Sequence, residues 1–146
     1  MRIYLDTCSL QRPLDDRSQL RIRMEAEAIL AILGLCETGA LRMVSSEALE
    51  LEVAKNPLPQ RRVFAVETMK LADEVVEIND IIVNRAKLLE QQGFKGMDAL
   101  HIAAAESGNV EFFCSCDDRL VRRAKSLVDL TLRFGTPLEL LEEITR

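Results

Sequence analysis

The chain has 146 residues, a length suited to one domain around a single core, and its 48% apolar content excludes a disordered polymer. The longest apolar stretch, AILAILGLC, is too short to cross a bilayer, and no long apolar leader opens the chain; a soluble, cytoplasmic protein with no membrane partner is expected. The net charge of −5 runs against the basic balance usual in nucleic-acid binders, and four cysteines without a C-x-x-C pair, beside one histidine, exclude an ordinary zinc site.

Arg2–Leu5 reads as a short buried strand that ends at Asp6. Asp15 to Glu37 reads as a long helix, with Leu20, Met24, Ala28, Leu33 and Leu35 as its apolar positions and Gly39 beyond its end. Leu41–Ser45 is a second strand. Ser46 is placed to cap the next helix, which stops before Asn56-Pro57. Pro59 to Ala72 is helical, and Glu74–Ile78 is a short strand. Asn79 or Asp80 caps a helix that ends near Gln92-Gly93. The loop Phe94-Lys95-Gly96 leads into a helix that Asp98 opens and Gly108 closes. Val110–Cys114 is a strong buried strand, Asp117 to Ser126 a helix, Leu130–Arg133 a last strand, and Pro137 the start of a terminal helix.

Strands alternating with helices imply an α/β sandwich of three layers, with a mainly parallel central sheet covered on both faces. Ligands in such sheets bind outside the carboxyl ends of the strands. Four acids fall at that edge: Asp6, Glu52, Asp98 and Asp117. On a helical wheel Glu52 sits on the core-facing side, whereas Glu47 and Glu50 turn to solvent. Each acid also has a plainer role. Asp6 suits an Asx turn or cap, Asp98 opposes a helix dipole, and Asp117 or Asp118 suits a helix cap. Together, carboxylates at one edge require a cation, which points to Mg2+ or Mn2+ and to phosphodiester chemistry.

Supporting roles fall to Thr7, Ser9, Ser115 and Asp118, by hydrogen bonds near the acids. His101, one turn after Asp98, is expected to be a packed or capping residue rather than a base. Setting the four acids aside leaves the chain close to neutral. Arginines bunch at Arg17, Arg21 and Arg23, at Arg61 and Arg62, and at Arg119, Arg122 and Arg123. They form solvated helix faces or a rim that grips phosphates.

The segment IYLDT, the spacing from Ser46 to Glu52, the helix MDALHIAAA and the S-x-D-x-x-L segment Ser115–Leu120 resemble the PIN domain family, and in particular its toxin-like bacterial and archaeal branch of VapC-like ribonucleases. The resemblance covers nearly the whole chain and implies one nuclease domain over residues 1–146 with a five-stranded parallel sheet. It implies a Mg2+- or Mn2+-dependent ribonuclease with catalytic Asp6, Glu52, Asp98 and Asp117, of which Asp6, Asp98 and Asp117 hold metal. Arg119, Arg122 and Arg123 would bind single-stranded or structured RNA. An antitoxin protein and a second copy of the chain are candidate partners. Cys8 stands where the family often has Asn or Ser. The rival readings are a non-catalytic module that binds RNA or protein and, more remotely, a phospho-acceptor domain.

Overall fold

In the computed structural model, which describes residues 1–127 and 129–146, five strands form one parallel sheet. They are β1 (Arg2–Leu5), β2 (Arg42–Ser46), β3 (Glu74–Val76), β4 (Phe112–Cys114) and β5 (Arg133–Gly135), in the spatial order β3-β2-β1-β4-β5. The register is tight around the central strand: Ile3 pairs with Met43 on one side and with Phe112 on the other. The connecting helices are α1 (Thr7–Gln11), α2 (Leu20–Glu37), α3 (Glu47–Ala54), α4 (Pro59–Met69), α5 (Asp80–Gln91), α6 (Gly96–Ser107), α7 (Asp118–Lys125) and α8 (Pro137–Ile144), with a 3-10 turn at Arg12–Leu14.

The period of two along each strand divides the core into two layers. Tyr4 and Phe113 face one layer, where Ile82 and Leu89 of α5 and Ile102 of α6 meet them. Ile3, Leu5 and Phe112 face the other, against Ile29 and Ile32 of α2 and Leu140 of α8. The sheet is therefore covered on both faces, the arrangement a continuous parallel sheet demands. Within the first layer Phe113 stacks on Tyr4 with ring centroids 5.2 Å apart, and Phe134 tilts against Phe113 at the same distance.

Local chemistry sets the helix starts. Ser46 accepts from the Leu49 amide at 3.1 Å, and Asn79 from the Ile82 amide at 2.9 Å. Thr136 and Glu139 form a reciprocal capping box ahead of α8. Among the described residues, no helix is long and apolar enough to cross a membrane.

The strands read over Glu74–Ile78 and Val110–Cys114 are each two residues shorter in the structure, and three elements differ more. Residues 7–11 form a helix, because Asp6 caps them through the Ser9 amide at 3.1 Å. The long second helix begins at Leu20 rather than Asp15, since Asp15 is held out of it by Arg12 and Arg61. Its buried apolar face is Ala26, Ala28, Ile29, Ile32, Leu33 and Cys36, which includes the expected Ala28 and Leu33, whereas Leu20 and Met24 are exposed. The last strand is Arg133–Gly135, not Leu130–Arg133, because pairing of Phe113 with Phe134 fixes its register. Gly135 then lies against the Phe112 ring, where a Cβ would come within 2.6 Å of Cζ.

Phe113 is fully buried at the centre of this aromatic stack. Phe113→Ala is expected to cost about 3–5 kcal/mol of unfolding free energy. Urea denaturation monitored by circular dichroism checks this; a loss below about 1 kcal/mol would show that the stack does not organise the core.

Candidate active site

Four carboxyl groups reach one cavity because four chain segments arrive at the same sheet edge. β1 ends at Leu5, and the Asp6 amide still donates to the Cys114 carbonyl at 3.2 Å. That bond holds Asp6 beside the end of β4. Its side chain turns back to cap α1, with Oδ1 accepting from the Ser9 amide and from the Cys8 thiol, each at 3.1 Å. Burial pushes the Asp6 carboxyl up, and hydrogen bonds from Ser115, Cys8 and Ser9 pull it part of the way back. Ser115 also accepts from the Asp117 amide at 3.0 Å, so one hydroxyl joins the surroundings of two acids.

Asp117 caps α7, with Oδ1 accepting from the amides of Arg119 at 3.0 Å and Leu120 at 3.3 Å. The cap and the cavity wall are thus one side chain, as they are for Asp6. Asp98 enters from the first turn of α6 and is half-buried. Burial, followed by the negative charge of Asp6, pushes its carboxyl up to about 6; Asp117 and Glu52 add to this, and His101 opposes it.

Glu52 is held differently. His101 is buried in α6 and bonded at both ring nitrogens, to the Tyr4 hydroxyl at 2.7 Å and to Glu52 Oε1 at 2.9 Å. Tyr4 also meets Ser46 Oγ at 2.7 Å. A carboxylate only accepts, so we assign the ring proton to Nε2. Nδ1 then accepts from Tyr4, and Tyr4 accepts from Ser46. Burial raises the Tyr4 phenol far above its ordinary value, which keeps this hydroxyl a donor. Thr7 Oγ1 donates to the same Glu52 oxygen. The His101 bond holds the Glu52 carboxyl below its usual value, against burial and with help from Thr7. Glu52 is one-third exposed rather than core-facing, because these partners draw it towards α1 and the cavity.

The cavity measures about 590 Å³ and is lined by Asp6, Thr7, Glu52, Asp98, His101 and Asp117, with Lys55 and Arg61 on the side of α3 and α4. A smaller hollow of about 180 Å³ shares Asp98 and Asp117 and continues to Lys95, Arg119 and Arg123. An acidic centre thus lies between two cationic flanks. Arg61 is engaged by Asp15 at 2.7 Å, but among the described residues Lys55, Lys95 and Arg119 make no salt bridge. Lys55 and Lys95 were not singled out from sequence, because isolated lysines beside helix ends give no periodic signal. His101, one turn after Asp98, is packed as expected, and it also holds Glu52.

The remaining candidates sit further out. Ser9 points inward and donates to the Cys114 carbonyl at 3.1 Å, away from the cavity. Asp118 is exposed and makes a two-pronged pair with Arg21 at 2.7 and 2.6 Å, which holds it below its usual value. It does not line the cavity. Arg122 projects to solvent from α7, and Arg123 donates to the Gln92 carbonyl at 3.3 Å.

Among the described residues, no three acidic, cysteine or histidine side chains are drawn into a ready-made metal cage. The donor set nonetheless suits a hard cation, being all carboxylate oxygen. The raised Asp98 carboxyl marks a site short of positive charge.

The PIN domain profile matches residues 3–126. The chain belongs to the PIN domain family. No curated relative matches it. Among solved structures, it is similar to FitAcB from Neisseria gonorrhoeae, at 15% identity and a TM-score of 0.59, covering 93% of this chain and 98% of that one. VapBC2 from Rickettsia felis, bound to a DNA fragment from its promoter, matches at 14% identity and a TM-score of 0.60, with coverages of 93% and 98%. VapBC-1 from nontypeable Haemophilus influenzae matches at 16% identity and a TM-score of 0.57, covering 94% and 99%. At these identities the likeness is one of fold, and it agrees with the five-stranded parallel PIN sheet.

Asp98 supplies a pH signature. Its folded-state value of about 6 lies above the ordinary 3.8, so the folded chain binds the extra proton. Its contribution to stability is therefore full below about 3.8 and is lost as pH rises through about 6. In EDTA, the thermal midpoint of wild type relative to Asp98→Asn should fall as pH rises across that window. A difference that stays constant with pH would show that Asp98 does not feel its neighbours.

Proposed function

We propose that this PIN domain, spanning residues 1–146, is a divalent-metal-dependent endoribonuclease, and that it acts in the cytoplasm as the toxin of a toxin–antitoxin pair. The observation that carries the reading is the convergence of Asp6, Glu52, Asp98 and Asp117 from four chain segments on one cavity. Asp6, Asp98 and Asp117 would hold Mg2+ or Mn2+. When bound, such an ion supplies charge neutralisation at the phosphate and a hydroxide nucleophile near neutral pH.

The protein's own residues do the rest. Glu52, kept ionised by His101 and Thr7, orients the attacking water from the far wall. Lys55 on one flank, and Lys95, Arg119 and Arg123 on the other, grip successive phosphates, while Arg61 beside Lys55 is held by Asp15. A cleft with an acidic centre and cationic ends favours single-stranded RNA, which can bend its backbone into it. Membership of the PIN family supports nuclease chemistry. Likeness to VapBC proteins supports an antitoxin partner. Exposed Leu20, Met24 and Leu30 on α2, with Val63 and Val66 on α4, offer apolar surface for that protein.

Labelled single-stranded RNA, incubated with protein in EDTA, Mg2+ or Mn2+, tests the reading. Cleavage should require the metal and should fall at least about 100-fold in Asp98→Asn, with the circular dichroism spectrum unchanged. Full activity in Asp98→Asn would remove that residue from the chemistry. An inert wild type with Mn2+ would favour the non-catalytic binding module. Lys55→Ala should weaken RNA binding evenly across sequences and lower the slope of log affinity against log salt by about 0.7. An unchanged slope in fluorescence anisotropy would place the phosphate path elsewhere.

A further inference from the structure

Among the described residues, four buried side-chain atoms lack a hydrogen-bond partner: Gln11 Nε2, Arg12 Nε, Glu25 Oε2 and Ser45 Oγ. Arg12 and Glu25 answer each other across a salt bridge of 3.3 Å, and Arg21 lies 3.5 Å from Glu25 Oε2. Ser45 lines a different hollow. Gln11, the last residue of α1, lines the acidic cavity and is 7% exposed. A buried donor left alone costs stability, so its place in the wall of a cleft calls for a partner.

The neighbouring turn fixes which end of the Gln11 amide is free. Residues 55–58 join α3 to α4. The Leu58 amide donates to Asn56 Oδ1 at 2.9 Å, so the Asn56 side-chain nitrogen faces the other way. That nitrogen donates to Gln11 Oε1 at 3.2 Å. The Asn56 carbonyl accepts from Arg62 at 2.6 Å, which holds the turn. A side-chain amide has one acceptor end and one donor end. The oxygen of Gln11 is engaged by Asn56, and only its N–H donors remain. Pro57 and Leu58 add exposed apolar surface to the same cavity, and Lys55 precedes them without a salt bridge among the described residues.

We propose that Gln11, Asn56, Pro57 and Leu58 form a nucleobase subsite beside the carboxylates, which prefers a base that offers a carbonyl, such as uracil or cytosine, over adenine. It deepens the proposed reading of this cavity as an RNA site and rests on that reading. A base laid on Pro57 and Leu58 covers apolar surface, and its carbonyl accepts from Gln11 Nε2. Lys55 meets the phosphate of the same nucleotide. Glutamine ordinarily reads adenine with both amide ends, the oxygen accepting from the N6 amino group and the nitrogen donating to N7. Here the oxygen is already engaged. Adenine brings its amino group against a donor, whereas a carbonyl oxygen matches that donor.

Asn56 is then a positioning residue, which acts on the base through Gln11. Asn56→Asp keeps one oxygen for the Leu58 amide and turns a second oxygen towards Gln11. The Gln11 amide reverses in response: its nitrogen donates to that carboxylate, and its oxygen becomes the free end. A free acceptor matches the adenine amino group, so the base preference should reverse without any loss of packing.

The test is fluorescence anisotropy of the full chain with labelled oligouridine, oligocytidine and oligoadenosine of equal length. Ca2+ is present to neutralise the carboxylates, and a gel shows that the strands stay intact. The strands carry equal charge, so the phosphate contribution cancels in the affinity ratios. Wild type should bind oligouridine and oligocytidine about three- to tenfold more tightly than oligoadenosine, the discrimination one hydrogen bond supports. Gln11→Met, which keeps the side-chain volume and removes the amide, should abolish the preference. Asn56→Asp should turn it towards oligoadenosine, and Leu58→Ala should weaken all strands alike. Circular dichroism establishes that each variant is folded. A wild type with no preference or no binding, an unchanged preference in Gln11→Met or Asn56→Asp, or full affinity in Leu58→Ala would each overturn the subsite. Wild type that shows the preference yet cuts no RNA in Mn2+ counts against the nuclease reading and leaves the subsite standing. Wild type that cuts RNA while binding all three strands equally overturns the subsite alone.

Discussion

Gathering carboxylates at the mouth of a parallel sheet sets the terms for everything around them. Each strand end delivers a backbone that can no longer pair within the ladder, so a polar side chain there is useful for capping the next helix. Asp6 and Asp117 do this for α1 and α7. The same parallel order brings those caps together, and with Asp98 they share a half-buried space. Burial and like charge both disfavour ionisation, and the raised Asp6 and Asp98 carboxyls record the tension. A cation relieves it; a proton relieves it too, which makes the fold's stability and the site's charge state aspects of one equilibrium.

Glu52 escapes this tension because it has its own support. The line from Ser46 through Tyr4 and His101 to Glu52 crosses from the end of β2 through the central strand to α6. Every buried polar atom on that line finds a partner, so the network can be rigid without an orphaned group. It also ties the site to the core: the ring that bonds His101 through its hydroxyl stacks on Phe113 through its face. A change in the aromatic stack therefore reaches Glu52 without touching the cavity.

Much of this was legible in the chain, for physical reasons that differ between elements. β1 and β4 are short apolar runs whose ends coincide with acids, so both the strands and the acids could be read together. Ser46 and Asn79 announced helix starts by their side-chain chemistry. Residues 7–11 offered only a candidate cap in Asp6, because a five-residue helix has too few turns for a period to show. The run Leu130 to Gly135 alternates, and alternation alone fits more than one register. Only packing of Phe134 on Phe113 and the fit of Gly135 against Phe112 choose between them. The Tyr4–His101 contact spans 97 residues, and no local pattern encodes it.

The acidic net charge stops being an obstacle to a polyanionic substrate once its distribution is considered. Several arginines are already neutralised: Arg21 by Asp118, Arg61 by Asp15, and Arg85 by Glu106. They brace the fold and contribute little long-range field. Among the described residues, Lys55, Lys95 and Arg119 are not spent in this way, and they stand at opposite ends of the carboxylate cluster. At physiological salt, exposed charges act over about 8 Å. A phosphate backbone laid along the cleft would have these cations on either side of the acids. The acids repel it only at the centre, where a bound divalent cation would reverse the sign of the field. Local order of charge, rather than the total, determines what such a site can hold.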